Sequence, residues 1–175
     1  MQKTRTVGVN NLKERIALIN HFIQEGKKDA QIRRLASGVL SQRCGKEWCI
    51  PEKDWDAEVE AIFLWIRNNV RYTLDPWELE LFQKARRSLE NRTADCDDQV
   101  ILAGAMLQVV GYPIRLIVVD TGKGGYSHIY LSVGLPPLDP KKWLPFDLTA
   151  TTEPLGWEVP TYTVKRKRIF QVQEV

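Results

Sequence analysis

Apolar residues recur at helical spacing through the first third of the chain. In residues 11–25, NLKERIALINHFIQE, the positions Leu12, Ile16, Ile19, His21, Phe22 and Ile23 fall mainly on one helical face. Asn10 or Asn11 offers a start cap and Gly26 a stop. Residues 28–43 predict a second helix with Ile32, Leu35, Val39 and Leu40 on one face. After the loop CGKEWCIPEKD, Asp54 caps a third helix, WDAEVEAIFLWIRNNVRY, with the stripe Val59, Ile62, Phe63, Ile66 and Val70. Pro76 breaks the pattern in TLDPWELE, and a short helical piece over Leu79–Leu89 follows. A last helix runs from Cys96 to Val110 and is ended by Gly111 and Pro113.

Beyond Gly111 the period drops to two or the run becomes uniformly apolar. IRLIVVD (114–120) reads as a buried strand, TGKGG as a turn, and YSHIYLSVGL (126–135) as an alternating strand. LPPLDPKK is a turn-rich loop before a third strand, WLPFDLT. In the tail, Val164, Arg166, Arg168, Phe170 and Val172 alternate with Lys165, Lys167, Ile169 and Gln171, the pattern of an edge strand. Helices first and an antiparallel sheet second define an α+β fold. We read one domain over 1–175, mainly helical over 12–110 and mainly β over 111–175, without internal repeats.

Composition narrows the function classes. The 175 residues suffice for one packed core, and 43% hydrophobic with 27% charged residues is ordinary for a globular chain. Twenty-five basic residues nearly balance twenty-two acidic ones, leaving a net charge of +3. That argues against a dedicated nucleic-acid partner. The start, MQKTRTVGVNN, lacks the apolar centre of a secretory signal. The longest apolar run, VILAGAMLQVVG, falls short of the roughly 20 residues of a membrane span. The expectation is a soluble chain, cytoplasmic when synthesised.

Cys44 and Cys49 in RCGKEWCIP could close a small loop, supply half of a metal site, or stay free. A structural zinc site needs four ligands, and the chain has only His21 and His128 besides, with no second close cysteine pair. We therefore expect two free thiols and neither metal nor cofactor.

Cys96 differs, because it lies among acids in NRTADCDDQV. Neighbouring negative charge opposes a thiolate. Asp95, however, is a good N-cap, and Asp98 stands at the third helical position, close to a capping box. Cys96 then becomes the first helical residue, where the macrodipole and unpaired N–H groups favour a thiolate and a developing oxyanion. Asp97 and Asp98 read as cap and salt-bridge residues, with Arg92 a nearby partner. A base and an orienting group are also needed. His128 sits at an apparently inward strand position, and Asp147 ends the next strand, so the two could stand side by side.

The segments ADCDD, GYPIRLIVV, YSHIYLSV and WLPFDLT, in this order, resemble the transglutaminase-like superfamily of Cys-His-Asp enzymes, in particular its phage and bacterial cysteine proteases. WIRNNVRYTLDPWELE resembles the family's helix ending in Val-x-Tyr before an Asp-Pro, and the likeness covers residues 12–152. It implies a papain-like core with the nucleophile at a helix start, and Cys96 as nucleophile, His128 as general base and acid, and Asp147 as orienter. It also implies amide hydrolysis of a protein or peptide substrate. Acyl transfer to an amine and a non-enzymatic virion or assembly protein are the alternatives. The phage flavour of the likeness would add phage structural proteins as partners and a virion-associated location. Ala94 replaces the usual Gly before Asp-Cys, and Leu148 the usual Pro after the Asp. No motif identifies a side-chain oxyanion donor. Trp77 and Gln83 are conjectures outside the assignment.

The remaining features have plain readings. His21, in LINHFI, is a packing or surface residue. A calcium site from Asp95, Asp97, Asp98 and Asp120 lacks the loop glycine and ligand spacing of a known motif. KRKR (165–168) reads as the solvated face of a strand rather than a nucleic-acid patch. Trp48, Trp77 and Trp157 lie in loop-like sequence and could line a cleft.

Overall fold

The computed structural model describes residues 11–74, 82–122 and 125–172. The chain begins with α1 (Leu12–Lys28), capped by the Asn11 side chain on Glu14 N–H, and α2 (Ala30–Leu40), capped by Asp29. A two-strand hairpin, β1 (Arg43–Cys44) and β2 (Glu47–Trp48), precedes α3 (Trp55–Asn69) and β3 (Arg71–Tyr72). Then come α4 (Ala85–Asn91), β4 (Thr93–Ala94) and α5 (Cys96–Val109). The β half comprises β5 (Ile114–Asp120), β6 (His128–Leu135), β7 (Lys142–Phe146) and β8 (Arg166–Gln171). The main sheet is antiparallel with strand order β7-β6-β5-β8, so β8 lies at an edge as expected. No helix among the described residues is long and apolar enough to cross a membrane.

α5 organises the molecule. Its residues from Asp97 to Gln108 are all buried, with helices α1 to α4 around it and β5 and β6 beneath. A helix that is apolar on all sides can exist only in such a setting. Ile114, Leu116 and Val118 of β5 and Ile129, Leu131 and Val133 of β6 face it. The opposite face of the sheet carries Ile117, Val119 and Tyr130, covered by Val159 and Val164.

Several boundaries differ from expectation. Gly26 does not end α1, which runs on to Lys28. A Cβ on Gly26 would stand 2.7 Å from Ala105 Cβ and 2.9 Å from Ala85 Cβ. The glycine thus permits close approach to α5 and α4 rather than marking a stop. α2 spans less than 28–43, because Asp29 takes up its first N–H groups and the hairpin claims Arg43. Val70 to Tyr72 leave α3, and Tyr72 pairs in parallel with Ala94 of β4. α4 starts at Ala85, whereas positions 79–81 of the expected piece, most of TLDPWELE and the centre of TGKGG lie outside the described residues. Cys44 and Cys49 are not free thiols but a disulfide. The tight hairpin, with Gly45 at φ 72°, brings their Cα atoms to 4.9 Å.

Candidate active site

The start of α5 is built as its sequence suggests. The Asp95 side chain accepts from Asp98 N–H at 2.9 Å, making Cys96 the first helical residue. β3 and β4 anchor this entry, with Thr73 N–H on Ala94 C=O at 3.0 Å. Asp97 pairs with Arg15 of α1, not with Arg92, whose guanidinium reaches Asn69 at 3.0 Å. Asp98 is fully buried. It accepts from Gln83 N–H and Gln83 Nε2, both at 2.6 Å. Gln83 Oε1 in turn accepts from Asn91 at 2.8 Å. The Gln83 amide is therefore committed to holding α5, and Trp77 lies outside the described residues.

The opposite wall is the end of the sheet. The β6–β7 register pairs Leu131 with Phe146, so Ile129 would next pair with Leu148. β7 stops at Phe146, and beyond it Ile129 faces the cleft that Cys96 also lines. Just beyond β7, Asp147 Oδ2 stands 2.7 Å from His128 Nε2. The Asp147 side chain is 1% exposed and that of His128 18%. Asp147 Oδ1 accepts from Thr149 N–H at 3.0 Å and from Thr149 Oγ1 at 2.7 Å. Cys96, Ile129, Asp147 and Thr149 line one narrow cleft.

His128 is not inward in the sense of facing α5. It pairs with Val119, and its ring stacks on Tyr130 at 5.6 Å, on the other face of the sheet. The strand begins at His128, so alternation gives it the parity of Tyr130 while Ile129 turns toward the helix. His128 meets the cleft through its bond to Asp147.

Electrostatics follow from burial. Burial, then Asp97 and Asp95, push the Cys96 thiol well up, against opposing pulls from Arg15 and the Ile129 N–H. The thiol is neutral in this state. Burial also raises the Asp147 carboxyl, but the His128 and Thr149 hydrogen bonds outweigh it, and Asp147 ends below the usual range. Tyr72 is pushed up to about 12 by burial first, with the carboxylates of Asp95, Asp147 and Asp97 adding to it. Its hydroxyl thus keeps its proton at neutral pH beside the cleft. Arg67 of α3 donates to Ala150 C=O at 3.0 Å and stacks over Phe63, 4.2 Å from the ring centroid.

The structure thus brings Cys96 and Asp147 to one cleft and ties His128 to Asp147. Thr149, Tyr72 and Arg15 were not singled out by sequence. Of these, only Tyr72 and Thr149 had a signal, as parts of Val-x-Tyr and WLPFDLT. The other features stay apart. Asp120 is held by Arg166 at 2.7 Å, and among the described residues no cluster of three or more His, Cys, Asp or Glu could hold a metal. Lys167 pairs with Glu158 in the edge strand. His21 is exposed, Trp48 lies on the hairpin under Arg43, and Trp157 is half-buried.

The family model of the transglutaminase-like superfamily matches residues 43–148. No curated protein matches the chain significantly. Among solved structures, a candidate cysteine protease from Cytophaga hutchinsonii is similar at 20% identity and TM-score 0.55, over 97% of this chain and 56% of that one. A candidate protease from Parabacteroides distasonis is similar at 12% identity and TM-score 0.55, over 80% of this chain and 27% of that one. LapG from Legionella pneumophila, EGTA-treated, is similar at 16% identity and TM-score 0.50, over 76% of this chain and 72% of that one. At these identities the likeness is one of fold. The chain spans little more than half of the first of these structures and about a quarter of the second.

Proposed function

The chain belongs to the transglutaminase-like superfamily, and from that premise we propose that it hydrolyses amide bonds of protein or peptide substrates through a thioester on Cys96. The observation that carries this is the buried His128–Asp147 pair, 2.7 Å apart, at the sheet end where the first turn of α5 presents Cys96. An ionised carboxylate only accepts hydrogen bonds, so Nε2 carries the imidazole proton and Nδ1 is left as a base.

Cys96 Sγ turns toward His128 Nδ1, which takes its proton. Such bonds often tighten only once substrate is bound. The sulfur attacks the carbonyl carbon, and the N–H groups at the start of α5 face the developing oxyanion. The C–N bond breaks, Nδ1–H protonates the leaving amine, and a thioester remains. Water attacks the thioester, giving its proton to Nδ1, and the carboxylic acid departs as Cys96 regains its proton.

The test is digestion of a proteome-derived peptide library by wild type, Cys96→Ala and His128→Ala. New peptide termini in wild type alone, with a Cys96-linked acyl adduct in the intact mass, support the reading. The same termini in all three samples, or none, would instead favour a non-enzymatic module retaining the fold.

A further inference from the structure

We infer that Thr149 is a positioning residue of this site, whose hydroxyl locks one Asp147 oxygen so that the other stays aimed at His128. The inference rests on the Cys96, His128 and Asp147 reading above and deepens it. Thr149 lies two residues past Asp147, beyond the last pair of β7, where no strand partner fixes the chain. Its N–H and hydroxyl both donate to Asp147 Oδ1, at 3.0 and 2.7 Å. Oδ2 is left for His128 Nε2 at 2.7 Å, and the Thr149 hydroxyl oxygen lies 3.5 Å from that nitrogen. Rotating the carboxylate would therefore break two donors on one side and the imidazole bond on the other.

The clamp has a rigid backing. Arg67 of α3 donates to the carbonyl of Ala150, the next residue, at 3.0 Å. With the Asp147 side chain 1% exposed, water does not replace a lost donor. The groups facing Asp147 are His128 and Tyr130 of β6, Arg67 of α3, Tyr72 of β3 and Cys96 of α5. Among these, His128 bonds to Oδ2, so the hydroxyl that secures Oδ1 comes from Thr149.

The experiment compares Thr149→Val, which keeps the volume and the backbone N–H, with Thr149→Ser, which keeps the hydroxyl. In a His21→Gln background, His128 is the single imidazole, and its nitrogen-15 spectrum reports the tautomer directly. The parent is expected to show the proton on Nε2, and Thr149→Val a mixture of tautomers. Thr149→Val should lower kcat on a peptide cleaved by wild type roughly tenfold to a hundredfold, the worth of one hydrogen bond to a charged group. KM should stay within about twofold, because the clamp acts on the chemical step. The acid limb of the pH profile should move to higher pH, since Asp147 loses a donor that keeps it ionised. Thr149→Ser should restore all of these, and Thr149→Ala, which cannot overpack, should behave as Val does. An unchanged tautomer and acid limb in both Val and Ala variants, or a folded Ser variant that stays impaired, overturns the inference. Wild type that cleaves no peptide would defeat the enzymatic reading, while the imidazole spectra would still decide whether Thr149 sets the tautomer.

Discussion

Arg15 on α1 is paired with Asp97, the residue after Cys96, and so joins the first helix of the chain to the first turn of α5. Asp97 is buried and Arg15 partly so. The guanidinium also stands within electrostatic range of the Cys96 sulfur, where it opposes the two neighbouring aspartates. Arg15→Met keeps much of the stem and removes the charge. It should cost about 1.5–3 kcal/mol of stability, the range for a charge-assisted hydrogen bond. It should also slow alkylation of Cys96, whose thiolate becomes rarer still. Urea unfolding and iodoacetamide labelling test the two effects separately. Labelling is clean because the other two cysteines form the disulfide. Faster labelling in a folded Arg15→Met protein would contradict the assigned electrostatics.

Gly26 tests how closely α1 must lie on α5. Alanine normally favours a helix by about 1 kcal/mol over glycine. Here its Cβ would meet Ala105 Cβ at 2.7 Å and Ala85 Cβ at 2.9 Å, neither of which can swing aside. We expect Gly26→Ala to be destabilising by about 1–3 kcal/mol, as in other overpacked cores. A raised thermal midpoint would show that the helices part without cost.

These two residues also show where sequence reasoning stops. The cap at Asp95 and the place of Cys96 were legible because both depend on residues within one turn. The burial of α5 was legible in its unbroken apolar run. Gly26 was misread because its reason lies on α5, some eighty positions away. The Cys44–Cys49 bond was misread because spacing alone left three outcomes open. The match of motif order nevertheless identified the family correctly.

Alkaline pH should destabilise the protein before its lysines titrate. Burial raises Cys96, Tyr72, Tyr112 and Tyr130, and for Tyr112 and Tyr130 the hydrogen bonds to Glu58 and Glu158 add to it. A group with a raised folded pKa contributes stability that is complete below its unfolded value and lost as pH rises. Unfolded thiols titrate near 8.5 and phenols near 10. Loss should therefore begin at about pH 8.5 with Cys96 and steepen at about pH 10 with the tyrosines. Melting Cys96→Ala alongside wild type from neutral to strongly alkaline pH checks this. A slope that is identical in the two proteins over the first part of that range would rule out the thiol's share.

Asp147→Asn is the most discriminating substitution, because Thr149 decides how the amide must sit. Two Thr149 donors point at the Oδ1 position, so the amide oxygen belongs there and the NH2 turns to His128. His128 Nε2 must then accept, which moves the ring proton to Nδ1, the nitrogen proposed to receive the thiol proton. The variant should keep its fold and lose up to roughly 10⁴-fold in kcat, as when a triad histidine is held in the wrong tautomer. Acid stability moves the other way. Asp147 has a depressed pKa, so its contribution is complete above the unfolded value of about 4 and lost as pH falls through the lower folded value. The asparagine variant cannot show that loss, and its melting midpoint should fall less steeply than that of wild type in acid. Peptide turnover, the His128 nitrogen-15 spectrum and acid melts together decide the matter. An Asp147→Asn protein with near-native turnover and the proton still on Nε2 would mean that the Asp147 charge does not orient His128.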